Sequence, residues 1–195
     1  MSNARGQYAK GVAKRQEILA TALEVVAERG CRKASNREIA ERVGLSQAGL
    51  LHYFSSREEM YVEVLRARDQ RDTQDYWRPD AGIEAFLTIL AHNAEVPGLV
   101  QLFAEYSAEA SIPGHPAHAF FAERYDWVTG KLAHSLRNER QAGVLGPAVD
   151  IHTAVELLIA AADGIQVQWL VDRSVDMAGR VRVVWDMIRR CSHLG

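Results

Sequence analysis

The chain has 195 residues, 48% hydrophobic and 25% charged, proportions that exclude wholesale disorder and suffice for a real core. Cys31 and Cys191 sit near opposite ends with no CxxC spacing, which supports neither a disulfide scaffold nor a zinc ribbon. The net charge of −2 is split: residues 1–57 carry ten Lys and Arg against five Asp and Glu (+5), and residues 58–195 carry thirteen against twenty (−7), the asymmetry of a chain whose basic end meets a polyanion.

Nearly every segment reads as helix. Ile18, Leu19, Ala22, Leu23, Val25 and Val26 recur at helical spacing between Lys14 and Arg29, and Gly30 follows as a left-handed cap. Ser35, three residues before Glu38, opens a short helix holding Ile39, Ala40 and Val43, which Gly44 closes. Ser46 caps a third short helix reaching about Phe54. Ser55 or Ser56, with Glu58 or Glu59, caps a longer one reaching about Asp75. Asp80 is expected to cap the next, and Pro97 to start another that ends near Ser111. Pro116 begins a long helix to about Gln141. Asp150 caps a strongly apolar one to Val171, and Ser174 the last, to about Arg190. No strand alternation is present, so the expected fold is all-α with about nine helices.

Ala34 to Met60 carries the functional signal. A capped helix, a turn at Gly44-Leu45-Ser46 and a second short helix make a helix-turn-helix. Ile39, Ala40, Val43, Leu45, Leu50 and Phe54 supply its interior, leaving Gln47, Ala48, Gly49, Leu51, His52 and Tyr53 outward. Small residues early in that helix suit close approach to a major groove, and Gln47 suits a base edge. Helix N-termini at Asn36 and Arg57 offer backbone N–H groups to phosphates.

This segment resembles the DNA-binding domain of the TetR family of bacterial transcriptional regulators. The residues that carry the resemblance are Ser35-Asn36-Arg37-Glu38-Ile39-Ala40, Gly44-Leu45-Ser46, Leu50-Leu51-His52-Tyr53-Phe54 and Ser56-Arg57-Glu58-Glu59-Met60, within about residues 12–65. Gly49 and Leu51 replace the family's usual Thr and Tyr, and Arg57 stands where Lys is usual. By position, the resemblance implies phosphate contacts from Ser35, Tyr53 and Arg57 and groove contacts from Arg37, Gln47, Gly49 and His52. It also implies two domains, a DNA-binding unit at 8–57 and a helical ligand-binding and dimerisation unit at 58–195. Leu102-Phe103-Ala104-Glu105 and Asp163-Gly164-Ile165-Gln166 resemble, more loosely, the BetI-type C-terminal subgroup.

Within that second unit the family encloses an effector pocket. Phe103, Tyr106, Phe121, Trp127 and Trp169 are candidates for its walls, with Glu105 and Asp163 as carboxylates suited to a cationic or hydrogen-bonding ligand; the alternative for each aromatic is plain core. Asp150–Val171 is apolar around most of its girth, and Val181, Val184, Trp185 and Ile188 form a stripe on the last helix. Leu158, Ile165, Val181, Trp185 and Ile188 are therefore expected to build a four-helix homodimer interface, the alternative being burial within one chain. His115 and His118 read as loop-capping residues rather than metal ligands, and no catalytic motif, metal site or cofactor is expected. The richest apolar stretch, 154–171, contains Glu156 and Asp163 and is not read as a membrane span. With no signal-peptide core at the N-terminus, the expected location is cytoplasmic. The function that emerges is a homodimeric repressor released from double-stranded operator DNA by a small molecule. The alternatives are an activator, a ligand-independent regulator, or a helical enzyme or adaptor with a vestigial helix-turn-helix.

Overall fold

The computed structural model describes residues 2–78 and 81–191, with side chains from residue 8 to residue 190 within those spans. The described residues form α1 (Ser2–Arg29), α2 (Asn36–Arg42), α3 (Gln47–Leu51), α4 (Arg57–Tyr76), α5 (Gly82–Asn93), α6 (Pro97–Glu109), α7 (Ala117–Gln141), α8 (Ile151–Val171) and α9 (Met177–Cys191).

Local chemistry places most of the boundaries. Ser35, Ser46, Ser56 and Asp150 each accept a backbone N–H from the first turn of α2, α3, α4 and α8. Gly30 and Gly44 turn the chain after α1 and α2 at φ 76° and 68°, where a side chain would be strained. Two expectations need correction. The third helix ends at Leu51, not near Phe54, with His52 and Tyr53 in a following turn. The last helix is capped by Asp176, whose Oδ1 accepts from Gly179 N at 2.9 Å; Ser174 instead donates to Asp172. Asp80, the expected cap of α5, lies outside the described residues.

Three apolar clusters hold the helices. The first joins Ile18, Val25, Ile39, Leu50 and Tyr61 of α1–α4, and Phe54 between α3 and α4, to Leu102, Phe103, Phe120 and Phe121 of α6 and α7. The second packs α5 and α7 on α8 and α9 through Leu87, Leu132, Leu136, Val155, Leu158 and Trp185. A third, small one gathers Val100, Trp169 and Met177. Against expectation, α8 is long and apolar enough to cross a membrane by length and composition, its two carboxylates notwithstanding. Its Ala154, Val155, Leu158, Ala162 and Trp169 are buried, and α6, α7 and α9 pack against it.

Candidate functional site

The helix-turn-helix is built from caps outward. Ser35 Oγ accepts from Glu38 N at 3.1 Å, but the Glu38 carboxylate turns to Arg42 (3.0 Å) instead of back to Ser35, so only half of a capping box forms. Leu45 N donates to Ala40 O at 2.8 Å, closing the turn. Ser46 Oγ accepts from Gly49 N at 3.0 Å, and a Cβ at Gly49 would meet that oxygen at 3.3 Å, which favours a small residue there. Leu50 and Phe54 are buried beneath α3, while Gln47, Ala48, Leu51 and His52 are exposed and Gly49 and Tyr53 are half-buried. From α1, Lys14 Nζ donates to Val43 O at 2.6 Å, and Arg15 pairs with Glu63 at 3.2 Å with its guanidinium 4.7 Å from the Phe54 ring centre. Lys14 and Arg15 thus fasten α1 to α2 and α4.

The other expected DNA-facing residues are placed as follows. Ser35 is exposed, with its hydroxyl oxygen engaged in the cap. Arg37 is exposed and pairs with Glu41 at 2.8 Å. Asn36 is half-buried, and its Oδ1 is buried without a partner. Arg57 turns inward: its Nη2 donates to the carbonyls of Cys31 and Ala34 and to the Tyr61 hydroxyl. At the same helix start, Glu59 accepts from the Ser55 amide and hydroxyl, which holds its carboxyl below the usual range.

Of the seven residues expected around an effector, Phe103, Tyr106 and Phe121 share one apolar cluster, while Glu105, Trp127, Asp163 and Trp169 have other surroundings. The Phe103 and Phe121 rings meet at a tilt with centres 5.3 Å apart, and Tyr106 meets Tyr61 at 5.9 Å, all inside the first apolar cluster. Asp163 accepts from the Tyr125 hydroxyl at 2.7 Å; burial pushes its carboxyl up, while that bond and Arg124 pull it back. Glu105 faces the loop after α1, accepting from Cys31 Sγ (2.8 Å), Arg32 Nε (3.0 Å) and Gln101 Nε2 (3.1 Å). Trp169 sits in the third cluster, with the Arg173 guanidinium 3.8 Å over its ring. Trp127 is 39% exposed.

Trp127 instead lines a cleft of about 440 Å³ between α4 and α7, with Arg66, Asp69, Thr73, Phe120 and Arg124. Two ion pairs span it, Arg124–Asp69 at 2.8 Å and Arg66–Glu123 at 3.4 Å. The cleft is not legible in the sequence because its walls come from helices some fifty residues apart and are mostly polar.

Leu158, Val181 and Trp185 are buried in the chain's own core, and Ile165 and Ile188 are partly buried, so the first three are not available as surface side chains. The apolar side chains that α8 and α9 leave outward are Leu157, Val167, Val171, Val183 and Met187. A groove of about 280 Å³ runs between the two helices beside Ala160, Gly164 and Val184. His115 Nδ1 accepts from Ala117 N, and His118 Nδ1 lies 2.9 Å from Ala110 O. Among the described residues no three His, Cys, Asp or Glu side chains cluster as a metal site. The Cys31 thiol is buried against Glu105, and burial together with that carboxylate pushes it up to about 12, far from thiolate chemistry.

Residues 18–64 match the profile of the bacterial regulatory proteins of the tetR family. The regulator PksA of Bacillus subtilis is 24% identical over 91% of this chain and 85% of its own length. The activator FasR of Mycolicibacterium smegmatis is 32% identical over 48% of each chain, so this chain spans about half of that relative. The repressor KstR2 of Mycobacterium tuberculosis is 43% identical over 27% of this chain and 26% of its own. A solved regulator from Rhodococcus sp. RHA1 superposes with TM-score 0.69 at 19% identity over 93% of this chain and 98% of that one. Thermus thermophilus FadR, a repressor solved with lauroyl-CoA, does so with TM-score 0.56 at 19% identity over 89% and 92%. An exposed reading helix in a capped helix-turn-helix, matched by the tetR-family profile, is the arrangement of a DNA-binding transcriptional regulator. The chain is thus similar to regulators of the TetR family, by sequence in its DNA-binding segment and by fold over most of its length.

Proposed function

We propose that the chain is a homodimeric repressor that leaves its operator when a small molecule enters the body. Residues 8–57 form the DNA-reading unit and 58–195 the ligand-binding and dimerisation unit. The observation that carries this reading is the shared helix: α4 begins at the reading head and, farther along, forms one wall of the α4–α7 cleft. Gln47, Gly49 and His52 read the groove, with Arg37 free to leave Glu41 for a base edge. Ser35, Asn36 and Tyr53 sit against phosphates. One short helix covers only a few base pairs, so two copies must fill successive major grooves about 34–36 Å apart.

The effector enters between α4 and α7 beside Phe120 and Trp127, with Arg66, Asp69 and Arg124 as polar partners. Phe103, Tyr106, Phe121 and Asp163 stand behind that wall as support, and Glu105 and Trp169 act elsewhere. The dimer forms through the outward faces of α8 and α9, with Ile165 and Ile188 at its edge. Repression is favoured by likeness to KstR2, and a small-molecule trigger by the FadR complex. Likeness to the activator FasR keeps the opposite sign in view. The protein works in the cytoplasm, where its DNA is. A mobility-shift titration with DNA flanking its own gene tests the reading, together with transcription from that DNA in vitro. Repression that a Trp127-quenching compound relieves is expected; stimulation by the free protein would make it an activator, and no shift on any duplex would end the proposal.

A further inference from the structure

The Gly30–Ala34 loop joins α1 to α2 and therefore fixes where the reading pair sits. It is gripped from two sides. On the α4 side, Arg57 Nη2 donates to Cys31 O, to Ala34 O at 2.9 Å and to the Tyr61 hydroxyl at 3.2 Å. The guanidinium carbon lies 4.9 Å from the centre of the Tyr61 ring, and Tyr61, only 1% exposed, donates its hydroxyl to Ala34 O at 3.1 Å. On the α6 side, Glu105 holds Cys31 and Arg32 at 2.8 and 3.0 Å. Arg57 Nε is itself buried.

A lysine at residue 57 would present a mobile point charge to a phosphate. A guanidinium is a planar fork with several donors in fixed directions, and here that fork is aimed at two main-chain carbonyls and a phenol. We propose that Arg57 is a positioning residue for DNA binding: it locks the loop at 30–34 to α4 and so orients the Ser35 cap and the α2–α3 pair, instead of neutralising a phosphate.

The two roles differ in what they do to affinity. Removing a cation that neutralises one phosphate lowers the slope of log affinity against log salt by about 0.9 and weakens all sequences alike. A misaligned reading head keeps the slope and weakens binding to specific DNA more than to random DNA. The test uses full-length protein carrying Arg57→Ala, Arg57→Lys or Tyr61→Phe. Each is titrated with a duplex that the unmodified protein selects from a random library, and with a random duplex of equal length, across about 50–300 mM salt. Arg57→Ala should bind the selected duplex about tenfold more weakly, as expected when charge-assisted bonds are removed, with the slope unchanged and the ratio of selected to random binding reduced. Arg57→Lys should resemble Arg57→Ala. Tyr61→Phe, too buried to touch DNA, should shift the same ratio in the same direction. A reduced slope with the ratio intact, or full rescue by Arg57→Lys, overturns the proposal. Should Arg57→Ala not fold, Tyr61→Phe and Arg57→Lys decide, and an unchanged ratio in Tyr61→Phe overturns it equally.

Discussion

Gly98 brings the backbone of α6 close against that of α1. A Cβ added there would lie 2.0 Å from Val26 O and 2.8 Å from both Val26 C and Ala27 Cα. All three are main-chain atoms of α1, so no side chain can swing aside. To reach ordinary contact at 3.4 Å the helices must part by about 1.4 Å, or α6 must rotate. Overpacking of this kind costs about 1–3 kcal/mol, sometimes more. At about 2–4 °C per kcal/mol for a chain of this size, Gly98→Ala should lower Tm by roughly 2–12 °C. Gly130, mid-way along α7 and exposed, has nothing within 4 Å of its would-be Cβ. Gly130→Ala should raise stability by up to about 1 kcal/mol, because alanine loses less freedom in a helix. Urea and thermal melts of the two variants, read by circular dichroism, give opposite signs on this reasoning. A Gly98→Ala protein as stable as the unmodified one would refute the close approach of α1 and α6. At temperatures where it stays folded, that variant should also bind DNA more weakly, since the contact it pries open fixes α1 beneath the reading pair.

Asp163 holds its proton more tightly folded than unfolded, because burial raises its carboxyl. Its share of stability is therefore fullest at low pH and falls as pH rises from the ordinary carboxylate range through the raised folded value. Asp163→Asn keeps an acceptor for Tyr125, so its stability relative to the unmodified protein should improve from pH 4 to pH 7 in urea titrations; a constant difference would contradict this. Cys31, raised to about 12 and buried, should resist iodoacetamide at pH 8 in the native protein and react once unfolded, as peptide mass spectrometry can follow; rapid native labelling would mean that the loop opens. Gln47→Ala should relax discrimination at one operator position by about 1–3 kcal/mol in competition assays while random DNA binding holds. Leu157→Arg, on the outward face of α8 where Leu157 is 51% exposed, should leave a folded particle of 21.7 kDa by light scattering, whereas Leu158→Arg should unfold the chain. A dimer that survives Leu157→Arg would place the interface elsewhere.

The fold was largely legible because its signals are local. Ser35, Ser46, Ser56 and Asp150 sit three residues from the amide each one caps, and Gly30 and Gly44 stand where the chain must turn left-handed. At α9 two residues of equal capping ability, Ser174 and Asp176, stand two positions apart, and it is Asp176 that takes the amide. The sites were less legible, because they depend on contacts between distant positions. Nothing near residue 57 announces that its guanidinium will find carbonyls 23 and 26 residues earlier. Glu105 shares a helix with Phe103 and Tyr106, yet it points at Cys31, 74 residues away, while they point into the core. Aromatic content marked core rather than cavity, so the cleft beside Trp127, walled by Arg66, Asp69 and Arg124, was not visible in composition.

The twenty residues of α4 make a rod about 30 Å long. Its first turn is welded into the reading head and its later turns bear on the cleft. A rod fixed near one end magnifies angle into distance: a tilt of about 4° displaces the far end by roughly 2 Å. In the proposed dimer, two heads set on successive grooves would move apart, or together, by the sum of their displacements. A few ångströms is already a sizeable fraction of the helical rise that separates adjacent base pairs, about 3.4 Å. On that proposal a molecule wedged beside Phe120 would need neither to unfold anything nor to reach the DNA. Leverage along one helix would be enough to put the two proposed heads out of step with the double helix.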